Sequence, residues 1–268
     1  MLPAIFVSHG SPMLALEQAE ARDFLKRLPA LLPERPKAIL MISAHWERLR
    51  PAVNAPAQLE TIHDFGGFPA ALFEMQYPAP SSSELADRVV SLLSAGGLPT
   101  DIDTHRGLDH GAWVPLVVAW PDADIPIVQL SVQTHLGPEH HYRLGRLLGP
   151  LREEGVLIIG SGSFTHDLSS FRVSSGRIDA PEQDWVHSFA EWMVSALEDG
   201  RVDDLLNYRA RAPEAAHNHP TEEHLLPLYV ALGAGAGGVE HLHQSTTYGI
   251  LRMDAFAFGA AGGITNIL

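Results

Sequence analysis

The 268-residue chain contains no cysteine. Disulfides, thiolate metal centres and cysteine nucleophiles are thereby excluded, and the composition suits a reducing cytoplasm. Long apolar runs are missing as well. The longest uncharged stretch, "LLPLYVALGAGAGGV" (225–239), is too short and too rich in glycine and alanine to span a bilayer. The first residues, "MLPAIFVSHG", lack a basic segment and hold too short an apolar run for a signal peptide. Positive charge is scarce. Eighteen lysines and arginines against 32 acids leave a formal charge of −14, which argues against nucleic acid or an anionic membrane as the main partner. A cytoplasmic protein without membrane association is expected.

Familiar signatures are absent too. "GSGS" at 160–163 lacks the third glycine of a dinucleotide fingerprint, and there is no P-loop. "GAGAGG" (233–238) follows a helical pattern rather than a strand and reads as a flexible loop. No Gly-x-Ser-x-Gly elbow and no His-Glu-x-x-His helix occur. Without repeats, low-complexity tracts or a compositional break, one domain over 1–268 is expected.

What is present is an alternation of short apolar runs with helical patterns. "AIFVS" (4–8), "AILMIS" (38–43), "IPIVQLSV" (125–132) and "VLIIG" (156–160) are nearly continuous, as strands covered on both faces are. Between them, 82–97, 138–155 and 181–200 have helical periodicity with start and stop residues. The expectation is an α/β domain with a mainly parallel central sheet flanked by helices, and a tail at 246–259 that adds an edge hairpin. Ligands of such sheets bind beyond the carboxyl ends of the strands.

Fifteen histidines are many for this length, and three strands deliver one at or just beyond that edge: His9, His45 and, after the "GSGSFTH" turn, His166. Neutral imidazole is a common ligand for zinc, iron and copper. A third ligand is available from "HNHPTEEHLLPL" (217–228), where Thr221 reads as an N-cap and Glu222 and Glu223 as the first turn of a helix carrying His224. Taken singly, a strand-end histidine reads more readily as a hydrogen-bonded structural residue. Glu222 and Glu223 read as surface acids, His140 and His141 as solvated helix positions, and the His217/His219 pair as part of an exposed loop. His187, His241 and His243 have no motif around them. The residues alone support a candidate metal site and nothing sharper.

"HGSPM" (9–13), "SAHW" (43–46), "TIHDFGGFP" (61–69), "LDHGAW" (108–113), "DADIPIVQLS" (122–131), "GSGSFTHDL" (160–168) and "HPTEEHLLPL" (219–228) occur in that order across nearly the whole chain. Together they resemble the extradiol ring-cleaving dioxygenases of the DOPA 4,5-dioxygenase type, in the superfamily of the protocatechuate 4,5-dioxygenase β subunit. The resemblance implies that His9, His45 and His224 hold the metal. It implies that His166 is an acid/base, counted in some members as a fourth ligand, and that His110 is a catalytic histidine on the substrate side. His63 and Asp64 fall in a pocket-lining motif. The protocatechuate branch places a glutamate where this chain has His224, and three neutral imidazoles leave a divalent metal its full charge, which favours catecholate binding.

The implied function is a non-haem dioxygenase that opens a catechol such as DOPA, caffeate or homoprotocatechuate with O₂. Iron(II) is the expected metal of activity and zinc(II) the expected metal of the protein as isolated. Phe65, Phe68 and Trp113 are candidate walls for the ring, each equally readable as core, and Arg106 or a protonated histidine is the expected partner for any substrate carboxylate. Two alternatives stand beside this reading: a zinc-dependent hydrolase and a non-catalytic metal-binding member of the superfamily.

Overall fold

The structure, a computed structural model, describes residues 1–174, 176–235 and 237–259, with the side chains of 172–174 left aside. Strands β1 (Ala4–Ser8), β2 (Ala38–Glu47), β3 (Ala52–Asn54), β4 (Asp101–Asp103), β5 (Ile127–Val132), β6 (Val156–Gly162), β7 (Val239–His243) and β10 (Ala255–Phe258) form one sheet in the order β4-β3-β5-β2-β6-β1-β10-β7. Two further short strands, β8 (Thr246–Thr247) and β9 (Leu251–Arg252), pair as a separate antiparallel ribbon. The centre of the large sheet, β5-β2-β6-β1, is parallel, as continuous apolar runs buried on both faces require.

Side chains alternate across a strand, so each central strand feeds two cores. Leu40, Ile42, Val128, Leu130 and Ile158 meet helices α2 (Ser83–Ala95), α4 (Gly137–Leu148), α5 (Asp184–Glu198) and α6 (Leu226–Gly235). Ile39, Met41, Ile127, Leu157 and Ile159 meet α1 (Glu20–Leu31) and α3 (His110–Ala119) from the other face. Helices on both faces of a mostly parallel sheet give the expected three layers. No helix among the described residues is long and apolar enough to cross a membrane.

Four local expectations are corrected. The tail places β10 between β1 and β7 inside the large sheet, leaving β7 at the edge, because the alternating "AFAF" buries all four residues. Gly233 to Gly235 are the last turn of α6 rather than a loop, while Ala236 lies outside the described residues. The helix after "HNHPTEE" begins only at Leu226, since 221–225 form a turn closed by bonds from the Leu225 and Leu226 amides to the Glu222 carbonyl. His141 and His219 are fully buried instead of solvated. Backbone groups meet them there: His141 accepts from the Gln133 amide and bonds the Gly137 carbonyl, and His219 bonds the Phe164 carbonyl.

Candidate metal centre

β1, β2 and β6 lie side by side and parallel, so their carboxyl ends open on one edge. His9 follows β1 directly and its amide bonds the Gly162 carbonyl at the end of β6 (2.9 Å). His45 lies two residues before the end of β2. His224 arrives from the turn before α6, and its carbonyl accepts from the Ser163 amide (2.9 Å). The approach is close because β6 carries glycine where the turn crosses it. A Cβ on Gly162 would lie 2.0 Å from the His224 carbonyl oxygen, and one on Gly160 would lie 2.2 Å from that of Pro227.

The result is two close imidazole contacts that share His45, with His110 completing a group around His9 and His45, and His166 and Glu223 one around His224. His45 Nε2 is 3.1 Å from His9 Nε2 and 3.3 Å from His224 Nε2. Their protons are assigned by what the other ring nitrogens touch. Ser161 Oγ donates to the Gly111 carbonyl (2.5 Å), so it accepts from His9 Nδ1–H at 3.0 Å. Glu223 Oε1, which as a carboxylate oxygen can only accept, takes a bond from His224 Nδ1–H at 3.0 Å. Both rings therefore present bare lone pairs at Nε2. His45 has one Nε2 proton at most and satisfies only one of them.

A shared cation would satisfy these lone pairs. Two nitrogens bonded at about 2.0–2.1 Å to a tetrahedral metal sit about 3.3–3.4 Å apart, close to the separations found here. Burial, and then the neighbouring histidines, hold His9 and His224 well below the usual histidine pKa. Burial and His110 bring His45 down to about 4 against the pull of Asp109 and Asp64. Neutral, tautomer-fixed imidazoles are the form that ligates. The donor set fits a divalent metal.

Around it lies a cavity of about 510 Å³ with mainly apolar walls, including Met13, Phe65, Phe68, Leu168, Phe171 and Tyr248. His166 and His110 line it together with the three histidines. His166 stacks on His224 with ring centroids 3.4 Å apart, and among the described residues neither of its ring nitrogens is hydrogen-bonded. Burial lowers its pKa to about 4, with Glu223 opposing. Its backbone is pinned by a bond from the His166 amide to the Asn218 carbonyl. The next residue, Asp167, is buried and accepts from the Ser169 and Ser170 hydroxyls. His110 opens α3, and its Nδ1–H bonds Asp64 Oδ1 at 2.8 Å. Burial pushes the Asp64 carboxyl up, but the His110 hydrogen bonds and charge outweigh it and bring the pKa down to about 2.

Other expected residues are placed elsewhere. Arg106 does not line the cavity. Its Nη2 bonds the buried Asp109 (2.8 Å) and the His45 carbonyl (3.2 Å), and its guanidinium lies over Trp46. That corrects the expectation of a carboxylate-binding arginine, because the acid three positions along captures it first. Trp113 is fully buried core with its indole N–H on the Ile62 carbonyl, and His63 bonds the Met75 carbonyl behind Phe65.

Four contributors carried no sequence signal of their own. Ser161 and Glu223 set the tautomers. Asp109 caps α3 and gathers Ser43, Arg106 and Gln129. Gly111 clears room, since a Cβ there would lie 2.4 Å from Ser43 Oγ and 2.8 Å from the His45 ring.

Residues 3–257 match the family described as the catalytic LigB subunit of aromatic ring-opening dioxygenase. The 4,5-DOPA dioxygenase extradiol of Beta vulgaris is 45% identical over 258 residues, covering 94% of this chain and 95% of that one. The protein of the same name from Escherichia coli (strain K12) is 41% identical over 240 residues, covering 88% and 86%. Among solved structures, that of uncharacterized protein JW3007 from Escherichia coli K12 superposes with a TM-score of 0.78 at 33% identity, covering 97% of this chain and all of the other.

Proposed function

This chain belongs to the LigB family of aromatic ring-opening dioxygenases, and from that premise we propose that it opens the ring of a catechol beside its two hydroxyls, with O₂ as co-substrate and the whole of 1–268 as one catalytic domain. The observation that supports this most is the meeting of His9, His45 and His224 at 3.1 and 3.3 Å with their Nε2 lone pairs turned inward. In this reading those three residues hold a non-haem metal, iron(II) in the active enzyme and zinc(II) in protein as isolated. Iron(II) bound there supplies positive charge and the redox capacity that zinc lacks.

The chain's own residues then do the following. The apolar walls exclude water, and Phe65 and Phe68, tilted at 84° to one another with centroids 5.4 Å apart, flank a flat ring. Asp64 holds His110 as the Nδ1–H tautomer, which leaves His110 Nε2 to accept a proton-sharing bond from a substrate hydroxyl. His166, neutral above about pH 4 and free of other hydrogen bonds among the described residues, takes a phenolic proton and returns it later in the cycle. Its stacking on His224 keeps it beside the metal ligands, where the proton is released.

Oxygen uptake by iron-reconstituted protein across a catechol panel, with absorbance of the yellow ring-opened product, tests the reading. Uptake coupled to product, and none with zinc, is the expected result. Hydrolytic turnover with zinc and none on catechols with iron would overturn it.

A further inference from the structure

Tyr248 occupies the turn between β8 and β9 with φ of 57°, and Gly249 follows with φ of 69°. Two successive residues of positive φ in a two-stranded ribbon are ordinarily Asn-Gly, Asp-Gly or Gly-Gly. A tyrosine in the first of these positions runs against its backbone preference, and such positions gather at ligand sites. The turn is braced from outside by bonds from the Tyr248 amide to the Ile178 carbonyl (3.0 Å) and from the Gln183 amide to the Gly249 carbonyl (3.0 Å). What the turn gains is the placement of the side chain. Tyr248 lines the same cavity as the five histidines and lies 5.0 Å, ring to ring, from Phe171.

The hydroxyl of Tyr248 donates to Glu17, 3.3 Å from Oε1 and 3.5 Å from Oε2. Among the described residues Glu17 has no basic partner, although it is half-buried. Burial pushes its carboxyl pKa up, and the tyrosine hydroxyl draws it part of the way back. The described lining of the cavity has no lysine or arginine, and Arg106 is held by Asp109. A carboxylate on a substrate therefore finds no fixed cation there, whereas an ammonium meets the faces of Tyr248 and Phe171 and, beyond the Tyr248 hydroxyl, the Glu17 carboxylate, which does not itself line the cavity but has no cation beside it.

We propose that Glu17 and Tyr248 form the side-chain subsite of the cavity and select catechols that carry a protonated amine over those that carry only a carboxylate. This rests on the dioxygenase reading above and adds to it a charge preference and the residues that set it. The amine is held between the Glu17 carboxylate, the Tyr248 oxygen and the faces of Tyr248 and Phe171, while the ring lies among Phe65, Phe68 and the histidines.

Three probes of matched size separate the terms: dopamine, 3,4-dihydroxyphenylpropionate and neutral 4-ethylcatechol. Dissociation constants are measured calorimetrically on zinc-loaded protein, which binds without turnover, and kcat/KM on the iron-loaded enzyme. Wild type is expected to prefer dopamine to the acid. Glu17→Gln should reduce the dopamine-to-ethylcatechol ratio by about tenfold, the scale of a partly desolvated charge pair, and raise the relative acceptance of the acid. Tyr248→Phe, which keeps the ring, should shift the ratio the same way by less, and it serves as the test if Glu17→Gln does not fold. Equal changes on all three probes, or a wild type that takes the acid as readily as the amine while cleaving ethylcatechol, overturn this inference alone. A wild type that neither binds nor cleaves any of the three overturns the dioxygenase reading with it.

Discussion

Ser161→Ala removes a hydroxyl that is wholly buried and makes two bonds, to His9 Nδ1 at 3.0 Å and to the Gly111 carbonyl at 2.5 Å. In metal-free protein His9 can respond by moving its proton to Nε2, where His45 Nε2 lies 3.1 Å away. In the proposed metal-loaded protein it could not, because Nε2 would be committed to the metal and Nδ1–H left buried without an acceptor. That penalty falls on the loaded state alone and amounts to about 1–3 kcal/mol, the cost of an unsatisfied buried donor. Converted at about 1.4 kcal/mol per factor of ten, it weakens metal binding by about 10- to 100-fold, the range usual for removing a partner of a ligating histidine. Competition with a chromophoric chelator, using zinc so that redox state does not intrude, gives the dissociation constant directly. Thermal denaturation of the metal-free protein measures the separate loss from the Gly111 bond. A metal affinity within twofold of wild type would refute the reasoning, since His9 would then be held in its ligating tautomer by something other than Ser161.

His9→Ala, His45→Ala and His224→Ala should each abolish both metal retention and turnover. His166→Ala should reduce turnover severely while keeping most of the metal, and equal metal loss in His166→Ala and His9→Ala, read by elemental analysis, would make His166 a ligand first. Arg106→Ala should destabilise the fold by about 3 kcal/mol, because it strips the cation from the buried Asp109. It should reduce kcat/KM on acidic and neutral catechols by the same factor, and a loss confined to acidic ones would return Arg106 to the substrate. His141 is the pH probe. Burial, offset only in part by its bond to the Gly137 carbonyl, brings its pKa to about 3, so the unfolded chain binds its proton first and stability falls as pH drops from about 6.5 toward 3. Denaturant midpoints over that window should fall less steeply in His141→Gln, and identical slopes would show that other groups carry the loss.

The sheet and several flanking helices were legible because burial on both faces writes a continuous apolar run, as in "AILMIS", and helix ends carry caps such as Ser82. His9 and His45 could be read from their place at strand ends. His224 was named from its motif, but its placement could not be read, since the turn that carries it is shaped by contacts with Gly160, Gly162 and Ser163, some sixty positions away in sequence. Local polarity misled at His141 and His219, where backbone donors and acceptors from other segments take over the role of water. Proximity in sequence misled at Arg106, which sits beside "LDHGAW" yet turns to Asp109 within that motif. Glu223 looked like a helix-start acid because the helix was placed four residues too early, and in the turn it bonds His224 instead. Ser161 sits in a run of small residues whose purpose appears only when β1, α3 and β6 are seen together.

The two glycines of β6 make the placement of His224 a matter of backbone against backbone. With carbonyl oxygens of His224 and Pro227 resting where Cβ atoms would otherwise stand, no side chain acts as a spacer between the sheet and the ligand-bearing turn. The distance is indexed by the thickness of the main chain, which mutation cannot vary. Repacking the surrounding core at Phe189, Leu228 or Val230 can therefore drift without moving the histidine cluster, whereas even a methyl group at 162 acts as a shim that lifts His224 away from His45 and His9. For redesign, this divides the neighbourhood into a freely adjustable apolar shell and a fixed datum line two residues long.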